Sequence, residues 1–145
     1  MNRVMLVEAD HTFRLRLAGI LSERFELLIP PAGEDPLRLA RSSRPDVALL
    51  AAGERARAQA IRLARVLKTD VRVVPRIGLY TRPGQDGPSA AAFASTGAEG
   101  FAAAVDAEAV VTLLDAMLRG ERPIPTPWPP RQRSLAARIV DRIRR

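Results

Sequence analysis

The sequence predicts an α/β domain wound around a parallel β-sheet, and three observations carry that expectation. Short, almost unbroken apolar runs recur along the chain, as in strands buried on both faces of a sheet. Between them lie segments with apolar residues at helical spacing, so each strand is followed by a crossover helix. The chain has 145 residues, 47% of them hydrophobic, enough for one domain with a proper core.

Residues 3–8 hold Val4, Met5, Leu6 and Val7 in succession and read as the first strand. Residues 10–24 follow as a helix, with Phe13, Leu17, Ile20 and Leu21 on one face and Leu15 beside that stripe. Residues 25–29 form a second strand, stopped by Pro30 and Pro31. Asp35 and Pro36 start the next helix as a capping carboxylate followed by a proline, and Leu37 and Ala40 face inward. Residues 46–52 are the third strand, apolar after Asp46. Residues 54–68 are a helix with Ala60, Ile61, Ala64 and Leu67 on one side. A fourth strand is expected over residues 71–79, less regular because Pro75 and Gly78 lie within it. Residues 81–88 hold two Gly and two Pro and read as a loop. A short helix over residues 89–95, a small fifth strand over 100–103 and a final helix over 106–118 complete the series. In that helix Val110, Val111, Leu114 and Met117 point inward. Five strand–helix repeats fit a flavodoxin-type sheet or half of a Rossmann fold. No Gly-x-Gly-x-x-Gly follows the first strand, so the expectation is a flavodoxin-like, doubly wound five-stranded parallel sheet of order 2-1-3-4-5.

Past Gly120 the character changes. Residues 1–120 carry 16 basic and 14 acidic side chains, whereas residues 121–145 carry 7 Arg and 2 acids. Most of the net charge of +7 therefore sits in the tail. Five prolines fall within residues 123–130 and favour extended polyproline II. Farther on, Leu135, Ala136, Ile139, Val140 and Ile143 share one face, while Arg133, Arg138, Arg142 and Arg145 lie away from it. The expected organisation is a domain over 1–120, a proline-rich linker over 121–131 and a basic amphipathic helix over 132–145. The absence of cysteine excludes disulfides, thiolate catalysis and Cys-based metal sites, and a reducing cytoplasm is the expected setting. No apolar run approaches the roughly 18 residues of a membrane span, and residues 1–10 do not read as a signal peptide.

Three stretches, in order and at consistent spacing, carry a family resemblance: RVMLVEADHTFRLRLAGIL (3–21), FELLIPPAGEDPLRLARSSRPDVALLA (25–51) and TGAEGFAAAV (96–105). Together they resemble the bacterial response-regulator receiver domain (CheY-like), and the likeness spans about residues 3–119. In that family a carboxylate at the end of the third strand accepts a phosphoryl group. Acids after the first strand hold Mg²⁺, while a Ser/Thr after the fourth strand and a Lys after the fifth bind the phosphate oxygens. The resemblance places the phosphoacceptor on Ala51, the acidic pair on Glu8 and Ala9 with Asp10 nearby, the hydroxyl on Tyr80 or Thr81, and the lysine on Ala104. Shifting the third strand finds only Ala52 and Gly53 before Glu54. A methyl group cannot become an acyl phosphate, and Glu8 with Asp10 is a poor match for octahedral Mg²⁺. The chain therefore reads as a degenerate pseudo-receiver that is not an enzyme and needs no cofactor or metal.

The resemblance implies a phosphorylation-independent interaction module in bacterial signal transduction. Its partner would be a kinase, a regulator or a second copy in a homodimer. Candidate contact residues are Phe101, Val110, Leu114, Trp128, Leu135, Arg138, Ile139 and Arg142. Tyr80 either fills the vacated pocket and locks the face formed by the fourth helix, fifth strand and fifth helix, or is simply packed. Trp128 either anchors a partner or folds back on the domain, the latter being preferred. His11 reads as a helix-start residue, and Ser89, Ser95 and Thr96 as caps rather than nucleophiles. The tail helix is too short to be stable alone and is expected to dock. An alternative function is a small nucleic-acid-associated transcriptional regulator using the Arg-rich tail. An anionic membrane is a further reading of that tail but not an expected partner.

Overall fold

The computed structural model describes residues 1–69, 74, 76–125 and 128. The core strands are built from the apolar runs. β1 (Arg3–Val7), β2 (Glu26–Leu28), β3 (Val47–Ala51), β4 (Arg76–Tyr80) and β5 (Gly100–Ala102) form one parallel sheet of order β2-β1-β3-β4-β5. Its register aligns Val4 with Val47, Ala51 with Tyr80 and Tyr80 with Ala102. The carboxyl ends of β1, β3, β4 and β5 thus meet along one rim.

Four of the five described α-helices begin where a short polar side chain satisfies a free backbone N–H. Asp10 caps α1 (His11–Leu21) and accepts from Phe13 N–H. Asp35 caps α2 (Pro36–Ser43), with proline in its first turn. Ser89 caps α4 (Ala90–Thr96) and Asp106 caps α5 (Ala107–Leu118). Each such cap contributes about 1 kcal/mol. A single 3₁₀ turn, Glu54–Ala56, leads into α3 (Arg57–Thr69).

Alternation along the strands divides the core in two. Val4, Leu6, Val47, Leu49 and Tyr80 face α1 and α5, where they meet Phe13, Leu17, Leu21, Val110, Leu114 and Met117. Met5, Ala48, Leu50, Ile77, Leu79 and Phe101 face the opposite layer, with Ala40, Ala60, Ala64, Leu67 and Phe93. The strands and helices expected before residue 120 are present, with their ends shifted by a few residues. The fourth strand is described from Arg76, and residues 71–73 and 75 of its expected start lie outside the described residues. Leu15, beside the expected apolar stripe of α1, is exposed.

Two buried residues correct expectations about the surface. Val110 and Leu114 are fully buried and present no side chain to a partner, whereas Phe101 is 3% exposed with its ring against Trp128. α5 turns its apolar stripe onto the sheet, and the same 3.6-residue periodicity that marked those positions places them inside. The side chains that α4 and α5 do expose include Ala91, Ala94, Ser95, Glu108 and Thr112. Of the tail candidates, Leu135, Arg138, Ile139 and Arg142 lie outside the described residues, as does the predicted 132–145 helix.

Gly78 is the glycine on which sheet packing depends. A Cβ there would come within 2.5 Å of Met117 Cε on α5, whereas one at Gly19, on α1, meets nothing within 4 Å. Gly78→Val is expected to destabilise the fold by about 1–3 kcal/mol through overpacking. Gly19→Ala is expected to stabilise it by about 0.5–1 kcal/mol. Urea midpoints of the two variants check the pair, and opposite signs are the expected outcome.

Candidate functional site at the carboxyl rim of the sheet

Open parallel sheets collect ligands beyond the carboxyl ends of their strands. There the structure brings together the expected site residues: Glu8, Ala9 and Asp10 after β1, Ala51 ending β3, Tyr80 and Thr81 ending β4, and Ala104 after β5. Glu8, Ala9, Asp10 and Ala51 line an open cavity of about 380 Å³, together with Gly53, Glu54, Arg82 and Gln85. The Ala51 methyl sits at its wall, with no carboxylate at that strand end.

Glu8 is buried, and a buried carboxylate must be satisfied. The Tyr80 hydroxyl donates to its Oε1 at 3.0 Å, and Asp10 N–H donates to its Oε2 at 3.1 Å. Arg82 supplies the opposite charge. Its Nε lies 3.6 Å from Glu8 Oε1, and its Nη1 lies 3.6 Å from Asp10 Oδ1. Asp10 also spends Oδ2 on the N–H of Phe13 at 2.8 Å. Mg²⁺ does not fit this donor set. One carboxylate is engaged by a phenol and a main-chain N–H, the other caps a helix, and a guanidinium stands against both where a second cation would be repelled. Among the described residues no three His, Asp or Glu side chains converge. His11 stands on the surface, its Nδ1 3.1 Å from Arg14 Nη2.

Tyr80 is fully buried, but not in the vacated cavity, which it does not line. Its ring packs 5.9 Å from that of Phe13 on the α1/α5 side of the sheet. Phe101 belongs to the other face, so Tyr80 does not touch the α4–β5 surface. Thr81 is the hydroxyl that matters locally. It is buried, and its Oγ1 accepts the N–H of Ala104 at 2.8 Å while its carbonyl accepts the N–H of Val105 at 3.0 Å. Ala104 takes φ +53°, a left-handed backbone unusual for alanine, and these two bonds hold it there. The Thr81 hydroxyl oxygen thus holds the β5–α5 loop as an acceptor.

Arg82 is the site residue that sequence reasoning missed. It sits in a stretch read simply as loop, and its pairing with residues 8 and 10 depends on the return of β4 beside β3. The one available signal was its place directly after the candidate hydroxyl pair. Trp128, by contrast, does fold back. Its ring lies 4.9 Å from Phe101 and 5.3 Å from Phe93.

No protein-family model and no curated protein matches the chain. Solved structures do. A two-component response regulator of the LuxR family from Aurantimonas sp. SI85-9A1 aligns over 100% of this chain and 99% of its own, with 21% identity and a TM-score of 0.67. A CheY-like response regulator receiver domain protein from Methanospirillum hungatei JF-1 covers 83% of this chain and 95% of its own, with 16% identity and a TM-score of 0.61. A Burkholderia pseudomallei response regulator, solved with a phosphorylated aspartic acid, calcium ion and citrate, covers 83% of this chain and 72% of its own, with 16% identity and a TM-score of 0.60. These likenesses define the class of fold: flavodoxin-like, with the strand order of receiver domains.

Tyr80 is the only tyrosine, so its ionisation can be read directly. Burial, and then the negative charge of Glu8, push its hydroxyl far above the usual value near 10. The neutral phenol is thereby favoured in the fold. Its stabilisation is present below about pH 10 and is lost above it, where the unfolded chain releases the proton, at roughly 1.4 kcal/mol per pH unit. Tyrosinate absorbance is expected to appear only as the protein unfolds, and an ordinary titration near 10 in the folded state is the contrary result. Tyr80→Phe, which strips Glu8 of a donor, is expected to cost about 1–3 kcal/mol in urea denaturation.

Proposed function

We propose that the chain is a pseudo-receiver: a phosphorylation-independent interaction module of bacterial two-component signalling, not an enzyme, working in the cytoplasm. One observation carries the reading. At the end of the central strand, where the receiver resemblance puts the phosphoacceptor, stands the Ala51 methyl. Three further features support it. Arg82 neutralises the acids that would otherwise attract a metal ion, Thr81 is tied to the backbone of Ala104, and alanine occupies the position of the phosphate-binding lysine. Acyl phosphate formation needs a carboxylate nucleophile with a metal ion screening the incoming charge. The rim offers neither in workable geometry.

Without a phosphoryl input, the module acts through the shape it already has. Its partner is a protein, such as a kinase, another regulator or a second copy, met through surfaces away from the rim. No described helix is long and apolar enough to cross a membrane. The Arg-rich tail supports a second reading, nucleic-acid binding, which would show as affinity falling steeply with salt.

The test of the first reading is direct. Incubation with acetyl phosphate and Mg²⁺ is expected to leave the intact mass unchanged, and amide exchange at residues 8–10 and 81–82 unaltered. A hydroxylamine-sensitive phosphoryl label, or new protection at the rim on adding the two reagents, would overturn it. Ala51→Asp alone is expected to remain unlabelled, because Arg82 still occupies the cation position.

A further inference from the structure

Three of the chain's six aromatic side chains meet at one place outside the rim. Phe93 on α4 and Phe101 on β5 pack 5.9 Å apart, and Trp128 lies across both at 5.3 and 4.9 Å. We infer that this α4–β5 cleft is a receptor for an aromatic side chain carried by a proline-rich segment, occupied in cis by Trp128, and that a partner presenting such a segment must displace Trp128 to bind. The inference rests on the interaction-module reading and adds where and by what chemistry the contact is made.

The docking is built from both backbone and side chains. β5 is the edge strand on its side of the sheet, and edge N–H groups accept added extended segments. The N–H of Phe101 donates to the carbonyl of Pro123 at 2.9 Å. Proline offers a carbonyl but no N–H, so such a segment can dock on the edge without extending the sheet. Gly100 makes room for it, since a Cβ there would lie 3.2 Å from Pro123 Cγ, 3.1 Å from Met117 Sδ and 2.9 Å from Leu113 Cδ1. Phe101 is braced from behind, where a Cβ on Gly87 would come 2.8 Å from its Cζ. Aromatic-lined grooves are how proline-rich segments are gripped elsewhere. Trp128 Nε1 is buried and has no hydrogen-bond partner among the described residues, so the seat is made by ring packing.

Trp128 is the only tryptophan and reports its own seat. In the full native chain its emission is expected to be blue-shifted, and its quenching by acrylamide severalfold lower than in urea. Emission and quenching equal to those of the unfolded chain would overturn the cis occupancy. The receptor is tested in trans with a labelled peptide of residues 121–130. Binding to full-length Trp128→Ala is expected at least about tenfold tighter than to the native chain, where tethered Trp128 competes at millimolar effective concentration. Trp128→Phe keeps a ring in the seat and is expected to fall between them. Equal binding to all three proteins, or no binding to Trp128→Ala, would overturn the receptor assignment. Neither readout involves a phosphodonor, so failure here is distinct from failure of the pseudo-receiver reading.

Discussion

The rim is organised around one buried carboxylate. Glu8 emerges from β1 into a position almost closed to water, where an unpaired charge is costly. Three groups answer it: the phenol of Tyr80, the N–H of Asp10 and the guanidinium of Arg82. Each also serves another purpose. Tyr80 buries its ring against Phe13, Asp10 opens α1, and Arg82 reaches across to Asp10. The ends of β1 and β4 and the start of α1 are therefore joined through one side chain. A free metal ion could take its place there only by breaking bonds that also hold secondary structure.

Alanine at positions 51 and 104 leaves the frame of the rim intact. Ala51 keeps its place in the ladder, paired with Tyr80, and Ala52 N–H donates to the Tyr80 carbonyl at 2.8 Å. Ala104 keeps a strained left-handed turn because Thr81 holds it from both its hydroxyl and its carbonyl. The rim is thus ordered by internal bonds. The cavity beside Ala51 stays open, with Arg82 reaching into its acidic side toward Glu8 and Asp10.

How much of this was legible follows from which forces are local. The apolar runs, the helical stripes and the caps at Asp35 and Ser89 are set by periodicity and neighbouring polar groups, and they reappear in the structure, which adds caps at Asp10 and Asp106. The repeat of strand and helix left two sheet types open, and the absence of Gly-x-Gly-x-x-Gly after the first strand selected the observed order. The chemistry of the rim was legible only as absences at Ala9, Ala51 and Ala104, because a resemblance names positions and says nothing of what replaces the missing contacts. Arg82 could not be read from its surroundings, since its partners lie more than seventy residues away. Val110 and Leu114 were misplaced for a different reason. A face defined at the level of elements does not say which side chains on it are solvent-exposed, and the apolar positions that mark a helix are the ones it buries.

The rim and the aromatic cleft are not independent. Thr81 Cγ2 and Phe101 Cζ both crowd the space where Gly87 has no side chain, at 3.1 and 2.8 Å from the position a Cβ would take. Thr81 in turn fixes the β5–α5 loop. Trp128 packs 4.9 Å from the Phe101 ring. A continuous set of packed side chains, Thr81, Phe101 and Trp128, therefore joins the end of β4 to the cleft, and at interior packing density none of them has room to move without its neighbour.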